Sequence, residues 1–147
     1  MKIDTLSWGE LEVGEDHLYY FPKGIPGFEQ ESRFALVVAE EGPFSYLQSL
    51  QTKELVFIIA DPFLFYSDYE FELPASDTEE LAISEQLVVR CVITLKEQIE
   101  QSTINLLGPI VLNPEKRLGK QVILHKSHYE TRHSLWETTP QSAEEGG

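Results

Sequence analysis

The chain has 147 residues, with 25 acidic and 11 basic side chains and a formal net charge of −14 at pH 7. Its 41% hydrophobic and 11% aromatic content is that of one globular domain with a sizeable core, not of a disordered chain. The charge repels phosphate backbones and anionic membrane surfaces, so no direct nucleic-acid or membrane partner is expected, whereas a basic protein partner would be attracted.

The acids are unevenly placed. Residues 1–60 hold ten acids and four bases, residues 61–100 ten and two, and residues 101–147 five and five. The negative field is therefore densest in the middle of the chain. Met1–Thr5 carries one positive charge and no apolar run, so no secretory leader is expected and the cytoplasm is the expected address. The longest apolar run, Leu55–Ala60, is far too short for a membrane span. Cys91 is the only cysteine, which excludes an intrachain disulfide. Flanked by Val88, Val89, Val92 and Ile93, it reads as a small buried hydrophobe in a strand.

In chain order, short runs rich in Val, Ile, Leu, Phe and Tyr predict strands at Leu18–Phe21, Phe34–Val38, Tyr46–Leu50, Leu55–Ile59, Leu87–Leu95, Ile104–Leu112 and Val122–Leu124. Turn residues separate them at Gly14-Glu15-Asp16, Glu41-Gly42-Pro43, Asp61-Pro62 and Asn113-Pro114. Pro22-Lys23-Gly24-Ile25-Pro26-Gly27 has two prolines and two glycines that constrain the backbone path. With Phe21, Ile25 and Phe28 as apolar anchors it reads as a rigid corner, with an exposed recognition loop as the alternative. From Tyr66 to Pro74 the pattern alternates. Tyr69, Phe71 and Leu73 share one face, and Asp68, Glu70 and Glu72 share the other. This segment reads as a barrel strand with a row of carboxylates on its wet side, or as a binding face. Ser76 is the predicted N-cap of a helix of two or three turns, with Glu79 as its capping-box partner. His125–Trp136 reads as a docked helix or an irregular tail, with Tyr129 and Leu135-Trp136 as anchors. Residues 137–147 read as disordered. The expected fold class is thus mostly β: a single compact antiparallel β-barrel-like domain over residues 1–136 with one or two short helices.

Enzymatic motifs are missing. The chain has no phosphate loop, dinucleotide glycine fingerprint or nucleophile elbow. No carboxylate pair is marked out as catalytic. His125, His128 and His133 invite a metal reading, but no cysteine or carboxylate motif accompanies them, so they read as solvated surface histidines. No enzyme activity, metal or cofactor is expected. A small-molecule-binding barrel remains an alternative.

Several stretches together resemble the FliW family of flagellar assembly factors. They are Phe21-Pro22-Lys23-Gly24-Ile25-Pro26-Gly27-Phe28-Glu29, then Phe44–Ser49, then Phe57–Pro62 with Tyr66, Asp68 and Tyr69. Thr103–Asn113 and Gly119–Leu124 follow in the same order. One departure is Gly108, where the family pattern has Ala before the Pro-Ile-Val run; it matters only if that strand is bulged. The resemblance implies a β-barrel regulator that binds CsrA, a homodimeric RNA-binding translational repressor, and relieves its repression of flagellin synthesis. It also implies binding of flagellin in a partner switch, with a flagellin chaperone lacking CsrA antagonism as the alternative. Residues proposed for CsrA are Asp68, Glu70, Glu72 and Glu79. Those proposed for flagellin are Phe63, Phe65 and Tyr66. Alone, the protein is expected to be a monomer.

Overall fold

The computed structural model describes residues 1–39, 41–125 and 127–135. Trp136 and the tail expected at 137–147 lie outside the described residues. Strands β1 (Lys2–Thr5) and β2 (Gly9–Glu12) form a separate antiparallel hairpin. Ile3 and Val13 anchor it to the body against Ala35. From there β3 (Leu18–Tyr20), β4 (Arg33–Val38), β5 (Phe44–Ser49), β6 (Val56–Ala60) and β7 (Val88–Thr94) pair in sequence as an antiparallel meander. β8 (Thr103–Ile104), β9 (Ile110–Asn113), β10 (Leu118–Gln121) and β11 (His133–Ser134) follow.

β7 divides its outer edge between two partners. Val88–Arg90 pair with β9, while Ile93 and Thr94 pair with β8, which β11 extends. β9 turns back into β10, and β10 meets β3 to close a seven-strand barrel. That last step is parallel and rests on one residue pair, Leu118 with Tyr20, so the barrel is not antiparallel throughout. Closure removes the free edges that an open sheet would present.

The barrel is filled by Tyr19, Phe21, Ile25, Phe34, Leu47, Ile59, Ile110 and Leu112. Phe21 and Phe34 meet edge to face at 5.2 Å. Gly119 on β10 makes room for them. A Cβ there would lie 2.5 Å from the Phe21 ring. The Pro22–Gly27 segment is a corner, as its anchors predicted. Phe21 and Ile25 are buried, Gly24 has φ of +66°, and the Phe28 N–H closes a turn on the Ile25 carbonyl at 2.6 Å. With Pro26 second and Gly27 third at φ +88°, this is type II turn chemistry.

The predicted strand Ile104–Leu112 is broken. The Asn105 side chain accepts from the N–H groups of Leu107 and Gly108 at 3.1 and 2.9 Å, which bends the chain between β8 and β9. The segment predicted as a strand at Val122–Leu124 follows β10 rather than forming it, although Val122 and Leu124 still donate to the carbonyls of Pro109 and Leu107.

The one α-helix among the described residues, α1, spans Ala75–Glu80, shorter than predicted. Pro74 occupies the N-cap and no side chain caps it, so Ser76 is not the cap. Instead its C-terminal end is closed by Ala82, held in the left-handed region at φ +53°. Ala82 N–H bonds Glu79 and Ile83 N–H bonds Thr78 there, at 3.0 and 3.1 Å. Leu81 is buried, and its carbonyl and that of Ala82 accept from the amide of buried Asn113. Cys91 is fully buried, and burial pushes its thiol up to about 12, consistent with an inert core residue. Among the described residues no helix is long and apolar enough to cross a membrane.

Candidate partner-binding groove

Between β6 and α1 the chain leaves the barrel. Asp61 caps a short 3-10 turn at Pro62–Leu64 by accepting from the Phe63 N–H at 3.0 Å. From Tyr69 to Pro74 the chain joins no ladder, so this segment is not a barrel strand. The predicted alternation holds all the same. Tyr69 is buried and Phe71 and Leu73 are half-buried, while Asp68, Glu70 and Glu72 are exposed. Alternation here reflects docking on the barrel wall rather than sheet pairing. Tyr69 provides the anchor: its hydroxyl donates to the Leu106 carbonyl at 2.8 Å, and burial raises its pKa.

Opposite this segment lie two irregular pieces, Val122–His125 and Ser127–Tyr129. Tyr129 joins the two walls, stacking edge-on with Tyr69 at 4.8 Å and accepting from the Glu70 N–H at 3.1 Å. The two walls enclose an open groove of about 1100 Å³. Phe71 and Val122 contribute to its apolar floor, and Asp68, Glu70 and Glu72 stand along one wall. Its described lining includes no Lys or Arg.

The groove gathers five of the seven predicted site residues: Asp68, Glu70, Glu72, Phe65 and Tyr66. Glu79 is exposed on α1 and does not line it. Phe63 is 44% exposed beside it, with its ring against Tyr69 at 5.7 Å. Phe65 and Tyr66 are half-buried and pack on the cluster around Cys91 and Leu106. The Tyr66 hydroxyl donates to the Ser134 carbonyl. Their rings thus serve the fold as well as the lining. Sequence reasoning missed the opposite wall, Val122–His125 with Ser127–Tyr129; the one available signal was the apolar triplet Val122–Leu124, of which Ile123 is 43% exposed.

The acids of this region fall into two kinds. Asp77 and Glu80 are both bonded by Lys120, and Glu80 also by Lys23. These bonds, that of Lys120 first, hold the Glu80 carboxyl down at about 2. Among the described residues, no such cation pairs with Asp68, Glu70, Glu72 or Glu79. His133 differs from the solvated histidine expected: it is half-buried, and its Nε2 accepts from the Glu130 N–H at 2.8 Å. Among the described residues, no group of three or more His, Cys, Asp or Glu side chains is placed to hold a metal ion.

The model of the FliW protein family matches residues 2–135. The chain belongs to the FliW family. The flagellar assembly factor FliW of Bacillus licheniformis is 44% identical over 138 residues, spanning 92% of this chain and 96% of that protein. That of Natranaerobius thermophilus is 43% identical over 140 residues, with 92% and 93% covered. A crystal structure of the flagellar assembly factor FliW superposes with a TM-score of 0.87 at 38% identity, covering 95% of this chain and 99% of that one. The barrel described above is thus the FliW fold, and the groove is carried on it by irregular segments.

Proposed function

We propose that this FliW-family protein acts in the cytoplasm as a protein-binding regulator, not an enzyme, that antagonises the RNA-binding repressor CsrA and also binds flagellin. The observation that carries this reading is the set of exposed carboxylates, Asp68, Glu70, Glu72 and Glu79, which have no cationic partner among the described residues, while their neighbours Asp77 and Glu80 are neutralised. Unneutralised surface carboxylates are repulsive at close range, and the strain is relieved by a basic partner. A CsrA dimer presents basic surface to RNA. An acidic protein docked beside it adds repulsion against phosphate without filling the RNA site.

Each carboxylate–phosphate pair at about 8 Å costs about 0.5 kcal/mol in a water-like dielectric, and salt screens it. Several together reach about 1–3 kcal/mol, or about a tenfold to hundredfold change in RNA affinity. Reversal of Asp68, Glu70, Glu72 and Glu79 to Lys is expected to weaken antagonism and flatten its salt dependence. The measurement is displacement of a flagellin-leader RNA from purified CsrA by wild-type and reversed protein. Equal displacement by both would sink the electrostatic account. Flagellin recognition is assigned to the apolar part of the surface, Phe63, Phe65 and Tyr66. Of these, Phe63 is the cleanest probe because it is the most exposed. Its replacement by Ala should lower flagellin binding with little loss of thermal stability.

A further inference from the structure

The groove has a property that neither its charge nor its apolar floor requires. Its walls lie outside the β-ladders, and part of their backbone has unused hydrogen-bonding groups. Phe71, Glu72 and Leu73 belong to no strand, and their N–H groups make no hydrogen bond among the described residues. On the other wall Val122 and Leu124 turn their N–H groups to Pro109 and Leu107, while the Ile123 N–H between them donates to none of the described residues. Elsewhere the closed barrel leaves few strand edges, so an open segment beside a groove stands out as a template for one more strand.

We infer that the groove takes a peptide segment in extended conformation, with apolar and basic residues alternating, by strand addition to the Phe71–Leu73 segment. This deepens the proposed function and rests on its reading of the groove as a partner site. The side-chain chemistry of the occupant follows from the period of two. A strand laid along Phe71–Leu73 sets its own residues alternately toward and away from the floor. Those facing Phe71 and Leu73 must be apolar. Those beside Glu70 and Glu72 must be cationic, because cross-strand neighbours of opposite charge stabilise and like charges destabilise. An amphipathic helix would satisfy the floor but would leave the wall backbone unpaired.

The test uses the full chain and three synthetic peptides of equal composition. One alternates lysine and valine, one carries the same residues in two blocks, and one is the alternating peptide with N-methyl groups on every second amide. Fluorescence anisotropy should give binding of the alternating peptide about tenfold tighter than the block peptide, with loss on N-methylation. Hydrogen exchange should slow on binding at the alternate amides of Phe71–Leu73 that face the peptide. The Glu70→Lys/Glu72→Lys variant, altered only at exposed positions, should lose the peptide by about tenfold. Equal binding of all three peptides, or binding with no change in exchange at Phe71–Leu73, overturns strand addition. The same preparations are then offered CsrA and flagellin. If these bind while no peptide does, strand addition fails and the proposed function stands. If the alternating peptide binds and neither protein does, the proposed function fails and the groove's specificity stands.

Discussion

Lys120, on the barrel strand β10, is bonded to the carboxylate of Asp77 on α1, and Asp77 is the one buried charged residue among the described residues. Through Lys120 the short helix is tied to the barrel at the point where β10 approaches β3. Asp77 keeps 11% and Lys120 22% of side-chain exposure, so the pair is partly desolvated. Removing the cation strands the acid. Lys120→Met is expected to destabilise the fold by about 1–3 kcal/mol, below the range for a fully buried pair. Lys23→Met, whose side chain is 67% exposed, should cost markedly less. Urea unfolding followed by circular dichroism would rank the two.

The same network dictates a pH response. Glu80 is held at about 2 in the folded protein, against an ordinary value of 4.5, by its bonds to Lys120 and then Lys23. A lowered folded pKa contributes stability that is complete above the unfolded value and disappears as pH falls through the folded one. Stability should therefore drop between about 4.5 and about 2, and Glu80→Gln should flatten that part of the profile. Lys120 behaves in the opposite sense. Desolvation lowers its pKa, but the bonds to Asp77 and Glu80 outweigh it and leave the value raised. Its contribution is complete below 10.5 and fades as pH climbs beyond it. Denaturation midpoints across the pH range give both limbs.

Two glycines should respond differently to a single methyl. Gly119→Ala drives a Cβ to within 2.5 Å of the Phe21 ring, which is fully buried and pinned by Phe34. Overpacking of this kind costs about 1–3 kcal/mol. At Gly108 the nearest atom is the amide nitrogen of Gln121 at 2.9 Å, the end of a flexible side chain. Gly108→Ala should cost less than about 1 kcal/mol. Thermal melts of the two variants make the comparison.

Ala82 offers a change in the other direction. A non-glycine residue in the left-handed region carries about 1–2 kcal/mol of strain. Glycine relieves it, at about 0.5–1 kcal/mol of added unfolded-state entropy. Ala82→Gly should stabilise by about 0.5–1 kcal/mol, read as a raised urea midpoint with unchanged slope.

The parts legible in the sequence were those whose signal is local. The meander strands from β3 to β7 carry their own apolar residues, and the Pro22–Gly27 corner carries its own turn chemistry. β10 was displaced to Val122–Leu124 because Leu118-Gly119-Lys120-Gln121 looks like a polar turn. What makes it a strand lies elsewhere in the chain: Phe21 fills the space over Gly119, and Asp77 and Glu80 neutralise Lys120. β1 and β2 were missed because Lys-Ile-Asp-Thr and Gly-Glu-Leu-Glu are short and charged, with Ile3 the one buried anchor of β1 besides Thr5. At the groove, alternation identified the carboxylate wall correctly. It could not show that the wall was unpaired, nor that the segment after β10 would face it.

The one-pair junction between β3 and β10 gives the molecule a clasp. Each pairing from β3 to β7 joins neighbours along the chain and can form early, whereas Tyr20 and Leu118 are about a hundred residues apart. Long loops close late, after local contacts have reduced the entropy that closure costs. The barrel is therefore expected to wrap first and fasten last, and to unfasten first under stress, with amide exchange at Tyr20 and Leu118 faster than at Leu47 or Ile59. Opening would expose two bare strand edges to other chains. On that view the Lys120 tie, beside the clasp, protects a crowded cell from aggregation as much as it protects the fold from unfolding.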